Sequence, residues 1–262
     1  TNGDKLWAGD VWVDSDPEPI HYYYPPSISI DGNGDAIVVW KHCYDQSRNV
    51  YAQRIDVSGA KRWPADVQIN AIADTVSEDG IVALSASQDG DVFIAWEDVQ
   101  TGSDIYAQQL DVDGFKAWSA EVRLASQYRP SVGVDARGNA TTAWLEARNG
   151  RTDVYAQGLS NSGDRLWPHA TQVNSGNSNV SNRCSPSVAV DSNGNAVIVW
   201  EDNQNGQRNI YAQYLDANGN KLWGLDALVN SYNVPLGGYT LATALDDSGN
   251  VIVVWKSGED IY

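Results

Sequence analysis

The chain repeats itself five times, and that repeat constrains the fold before anything else does. Pro26 to Trp63 reads PSISIDGNGDAIVVWKHCYDQSRNVYAQRIDVSGAKRW. Variants of this stretch end at Trp118, Trp167 and Trp223, and a fifth copy starts at Tyr239 and runs to Tyr262. The end that the fifth copy lacks stands at the other terminus, where TNGDKLW (Thr1 to Trp7) matches ANGNKLW of the fourth copy. Three aromatic positions recur in every copy: Trp40, Trp96, Trp144, Trp200 and Trp255; Trp7, Trp63, Trp118, Trp167 and Trp223; Tyr51, Tyr106, Tyr155, Tyr211 and Tyr262.

Each copy divides into four short stretches. The first is small and apolar (PSVAV), and the second is a β-branched run (NAVIVW) of the kind a strand buried on both faces requires. The third (NIYAQYLD) is more polar, and the fourth, from NKLW onward, varies most. Two glycine turns separate them. Gly34, Gly90, Gly138, Gly194 and Gly249 mark the first turn; Gly3, Gly59, Gly114, Gly163 and Gly219 mark the second. A glycine so placed suits a tight hairpin with one residue at positive φ. Helical periodicity is absent. One four-stranded meander cannot bury both of its faces, whereas five stacked around an axis can.

The expected fold is therefore all-β: a five-bladed β-propeller with four antiparallel strands per blade, the last blade closed by the N-terminal strand. A single domain spans 1–262, with blades at about 26–74, 75–126, 127–180, 181–233, and 234–262 plus 1–16. Eleven Trp and 13 Tyr against two Phe and no Met fit this architecture. Large aromatics with a polar handle fill the gaps where blades splay apart, so the repeated ones are expected in the core.

The sequence resembles the β-propeller repeats of bacterial secreted and surface proteins, through D-x-x-G-N-x-x-x-x-W followed by D-I-Y-A-Q and G-N-x-x-W. That resemblance implies export and surface display, extracellular or at the cell surface, and no particular chemistry. In blade number the chain is similar to five-bladed lectins of the tachylectin type, a likeness of architecture without shared motifs. The sialidase Asp-box spacing is not met, since Ser29 to Trp40 reads SIDGNGDAIVVW.

The formal net charge of −17 repels phosphate backbones and anionic membrane surfaces, so no nucleic acid is expected as a partner. Membrane insertion is not expected either, for no apolar run is long enough to span a bilayer. The chain opens on Thr1 and stops inside a predicted strand at Tyr262, which suits a module of a larger multi-domain protein.

Propeller loops that enter each inner strand share one face with the loops joining strands two and three. In this chain those loops are the parts that do not repeat, the pattern expected of a specific site on a repeated scaffold. They carry the candidate ligand-binding residues Tyr22, Tyr23, Tyr24, His42, Tyr44, Tyr128, Arg129, Arg183, Tyr232 and Tyr239. Tyr offers flat amphipathic area and Arg a planar donor fork, suited to a sugar or a peptide. The bland alternative is that these tyrosines pack loops onto the ring.

Asp98, Glu146 and Asp202 stand two residues after the strand-two Trp, with His42 and Ser257 at the equivalent places. A hydrolase would pair Glu146 with Asp98 or Asp202 as acid and base. Because the acids nearly repeat, local hydrogen bonding explains them better, and no catalytic residue is assigned. Asp31, Asn33 and Asp35 read D-x-N-x-D, an oxygen spacing able to wrap calcium. The same positions form the hairpin in other copies and no bidentate Glu follows. No metal ligand set or cofactor is therefore expected, and calcium at this turn is the one candidate. Cys43 and Cys184 lie in loops of the same face, in copies that are not adjacent. Three functions follow in order: a non-catalytic binding module for a glycan or a surface protein, a glycoside hydrolase using axial carboxylates, and a structural spacer.

Overall fold

The structure is a computed structural model. It describes residues 7, 9–15, 25–44, 47–71, 75–77, 80–99, 102–175, 180, 185–203, 208–231, 241–257 and 260–262. Blade one holds β1 (Ser27–Ile30), β2 (Ala36–Tyr44), β3 (Ser47–Ile55) and β4 (Val67–Gln68). Blade two holds β5 (Val82–Ala86), β6 (Val92–Asp98), β7 (Asp104–Leu110) and β8 (Val122–Ala125). Blade three holds β9 (Tyr128–Val134), β10 (Ala140–Arg148), β11 (Arg151–Leu159) and β12 (Thr171–Gln172). Blade four holds β13 (Ser187–Val190), β14 (Ala196–Asp202), β15 (Asn209–Leu215) and β16 (Ala227–Leu228). Blade five holds β17 (Leu241–Leu245), β18 (Val251–Ser257) and β19 (Asp260–Ile261). Every pairing is antiparallel between chain neighbours, and the first strands of successive blades lie against one another. The chain is a five-bladed β-propeller, as its repeat requires.

Both glycine turns form as expected. In the first, Asp31 Oδ1 accepts the N–H groups of Asn33 and Asp35, and Gly34 sits at φ +84°. Asp135, Asp191 and Asp246 build the same turn in their blades. In the second turn, Gly59, Gly114, Gly163 and Gly219 all have φ between +80° and +88°.

The recurring tryptophans are structural. Trp96, Trp144 and Trp200 are buried within the blade stack, and Trp63, Trp118 and Trp167 are buried between blades. Each of the latter three donates its indole N–H to a second-turn carbonyl of the next blade: Val112, Asn161 and Ala217, at 2.9–3.0 Å. Trp7 repeats this bond to Val57 O of blade one at 3.0 Å. The Ser15 N–H binds Asp66 of blade one, as the Ser175 N–H binds Asp226 of blade four. The N-terminal segment thus docks on blade one where the outer strand of the preceding blade belongs. Among the described residues it makes these contacts without joining the three-stranded sheet of blade five.

Apolar clusters fill the junctions from blade one to two, two to three, three to four and four to five. At the fifth junction, Ile28 and Ile30 of blade one and Ile252 of blade five are about two-thirds exposed. Their counterparts elsewhere, such as Val188 and Val197, are buried. Among the described residues no helix is long and apolar enough to cross a membrane.

Candidate functional site

Strand alternation decides what stands at the loop face. In each second strand the residues flanking the Trp face the following blade, so the residue just after the Trp meets that blade's entry loop. This position is Lys41, Glu97, Leu145 and Glu201 in the first four blades, and all four are buried. Lys41 Nζ donates to the carbonyls of Ser77 (3.3 Å) and Gly80 in the entry to blade two. Glu97 Oε1 accepts the N–H of Arg129 at 2.7 Å and the N–H of Ile81 at 3.3 Å. Burial pushes the Glu97 carboxyl above its usual range, offset in part by these N–H groups and by the Arg129 and Lys41 charges. Glu201 Oε1 is buried without a hydrogen bond among the described residues, and the Arg208 guanidinium is 3.7 Å away.

Arg129 is the unusual residue of this face. Its φ of +59° lies in the left-handed region, which a non-glycine residue enters at a cost. It stands at a register shift where β9 passes Ala143 and Leu145 of β10. The bond from its N–H to buried Glu97 and the rigid Pro130 that follows hold it there. Its side chain is half-buried, and the guanidinium makes no hydrogen bond or ion pair among the described residues.

Of the other expected site residues, Tyr128 is half-buried and packs on the core between blades three and four. Packing accounts for it, whereas its neighbour Arg129 stands at the register shift, outside the strand's alternation. His42 lies in β2 opposite Asn49, half-buried, with its ring edge-on to Tyr51 at 6.0 Å. Tyr44 closes the β2–β3 hairpin opposite Ser47. Tyr22, Tyr23, Tyr24, Arg183, Tyr232 and Tyr239 lie outside the described residues, as does Cys184.

The three acids singled out for hydrolysis are buried and engaged within their own blades. Asp98 accepts from the Thr75 hydroxyl at 2.6 Å, and Asp202 from the Trp200 indole at 3.4 Å. Glu146 accepts from the Trp144 indole at 3.3 Å and pairs with Arg148. Sequence reasoning passed over Lys41, Glu97 and Glu201, one residue earlier. Their signal is parity: they share a face with Val39, Ala95 and Val199, which point into the next blade.

The turn considered for calcium already holds a cation. Arg54, 1% exposed, pairs with Asp31 and, at 3.1 Å, with Asp35. No group of three or more His, Cys, Asp or Glu arranged to hold a metal ion occurs among the described residues.

No protein-family model matches the chain, and no curated protein matches it closely enough to count as a relative. Solved structures do. An α-L-arabinofuranosidase, Arb93A from Fusarium graminearum, is 10% identical with a TM-score of 0.57, over 95% of this chain and 80% of that one. A fucose-specific lectin from Aleuria aurantia is 12% identical with a TM-score of 0.52, over 89% of this chain and 70% of that one. A polysaccharide lyase of family PL25, an ulvan lyase, is 12% identical with a TM-score of 0.54. The match covers 90% of this chain and 64% of the lyase. The likeness is one of fold.

Proposed function

We propose that this chain is a secreted or cell-surface carbohydrate-binding module that takes its glycan on the loop face. Arg129 is its central donor. Tyr22, Tyr23, Tyr24, His42, Tyr44, Arg183, Tyr232 and Tyr239 form the surround, while Tyr128 packs into the core beside it. The observation that carries the reading is Arg129 itself: a strained backbone, anchored by a buried carboxylate, with a guanidinium that makes no hydrogen bond among the described residues. Strain of this kind persists only where its surroundings enforce it. Similar folds among an arabinofuranosidase, an ulvan lyase and a fucose-specific lectin support carbohydrate over protein as the ligand class.

The test is a glycan array read with wild type and with Arg129→Gly. Glycine tolerates φ +59°, so this variant removes the donor fork and relieves strain together. The expected result is loss of glycan signal with a melting temperature no lower than wild type. Full retention of binding would remove Arg129 from the site. Chelating calcium should leave the array signal unchanged, because Arg54 and Arg62 already neutralise Asp31 and Asp35.

A glycosidase reading has one specific observation in its favour, the raised carboxyl of Glu97, which suits a proton donor. Release of nitrophenol from an aryl arabinofuranoside, abolished by Glu97→Gln, would move the assignment to that enzyme class.

A further inference from the structure

On the opposite face, where the glycine turns lie, each junction contains a cleft bordered by the first turn of one blade and the second turn of the next. One directly opposed pair of strand-two and strand-three residues faces into it: Ile37–Arg54, Phe93–Gln109, Thr141–Gly158 and Val197–Tyr214 in blades one to four. In three of these pairs an apolar residue stands beside a long polar one whose side chain reaches into the cleft, and beside Arg54 an opening of about 540 Å³ remains. Arg54 binds Asp31, Asp35 and the Gly90 carbonyl; Gln109 binds Asp91 at 3.2 Å; the Tyr214 hydroxyl lies 3.3 Å from Asp191. Every one of them donates to a first-turn aspartate.

Blade three departs at both members of the pair. Gly158 has no side chain to place in the cleft, and Thr141 substitutes a hydroxyl for the apolar partner. Between blades three and four this leaves a cavity of about 190 Å³, more than ten times the ~10–15 Å³ that one water needs. Its lining includes Asp135, Arg137, Thr141, Trp167 and Asn218. Thr141 is 4% exposed, and its hydroxyl makes no hydrogen bond among the described residues. The Asn218 side-chain amide gives one of its two N–H groups to Asp216, which leaves the other to donate. Arg137 bonds the Asn193 carbonyl at 2.7 Å through Nη2 and contacts Asp135 at 3.4 Å through Nε, which leaves Nη1 to donate.

From this we infer that the cleft between blades three and four is a second binding site, for one neutral sugar residue. The ligand's hydroxyls take the place of the donor that Gly158 omits. One hydroxyl donates to Asp135 Oδ2, as Tyr214 does to Asp191. Its neighbours accept from Arg137 and Asn218, the Thr141 hydroxyl pairs at the floor, and the Trp167 ring supplies the apolar wall. Charge selects a neutral ligand. Arg137 already balances Asp135, whereas in blade one two aspartates required two arginines, Arg54 and Arg62.

The experiment titrates the folded chain with galactose, mannose, fucose and N-acetylglucosamine separately, following backbone amide shifts by NMR. At least one sugar should saturate and shift Thr141, Gly158, Trp167 and Asn218. Arg137→Ala and Asn218→Ala, both on exposed turns, should each weaken that binding about tenfold. The double variant Thr141→Val with Gly158→Tyr copies the blade-four pair and should abolish it. A Cβ at Gly158 meets Trp167 Nε1 at 2.8 Å, so this variant tests filling only if its spectrum stays native, and the two turn variants decide the matter otherwise. Arg129→Gly should leave this binding intact. The proposal is overturned if no sugar shifts these amides, or if binding survives both turn variants unchanged.

Discussion

At the residue scale, the molecule is held by a few polar side chains in equivalent places. Asn174 is 1% exposed; its Oδ1 accepts the Val154 N–H at 2.8 Å and its Nδ2 reaches Asp153 at 2.8 Å. Asn70 and Asn230 do the same for Val50 and Ile210. Asn174→Ala strands a buried N–H, and urea unfolding should show a loss of about 1–3 kcal/mol. Arg54→Leu should cost more, about 3–5 kcal/mol, because it leaves Asp31 and Asp35 buried without their cation. Glu97 behaves in the opposite sense. Its folded carboxyl binds protons more tightly than the unfolded one, so stability falls as pH rises from the ordinary glutamate range through its raised value. Glu97→Gln removes that dependence while keeping an acceptor for Arg129. Wild type and variant should unfold alike near pH 4, with the variant the more stable at pH 7, as paired urea titrations would show.

At the scale of the element, the second turn joins one blade to another. Gly219 has φ +80°, and a Cβ there would stand 2.5 Å from the Trp167 ring. Gly114 meets Trp63 and Gly163 meets Trp118 in the same way. One glycine therefore serves the hairpin of its own blade and the tryptophan seat of the blade before. Gly219→Ala should lower stability by at least the ~1–3 kcal/mol of left-handed strain, with a change in near-ultraviolet circular dichroism as Trp167 shifts. This double duty was only half legible in the sequence. The hairpin is local and the glycine spacing announces it, whereas the tryptophan it touches lies some fifty residues away.

At the scale of the molecule, four junctions are sealed by apolar clusters, whereas at the fifth Ile28, Ile30 and Ile252 stand exposed and the Trp7 and Ser15 bonds tie the N-terminal segment to blade one alone. Local opening starts where fewest apolar contacts must break. Amides of β1 and β17–β18 should therefore exchange faster than those of β6, β10 and β14. Deleting residues 1–15 should lower the melting temperature sharply; a truncated chain that melts like the full one would show that blade one needs no N-terminal partner.

Blade number, meander order, both turns and the structural use of the repeated Trp and Tyr follow from the local pattern of the chain. Each is set within about fifty residues by alternation and turn chemistry, and five copies of one pattern admit few packings. Where the varied residues stand is set by the packing of blade on blade. Tyr128 and Arg129 are adjacent in sequence, yet one joins the core and the other stands strained beside a glutamate from the preceding blade. Gly158 and Thr141 look like ordinary drift until strand pairing sets them opposite each other on a cleft into which three other blades reach with a long polar side chain. Such meetings join side chains of different blades, and local sequence carries no term for a neighbour that only the closing of the ring supplies.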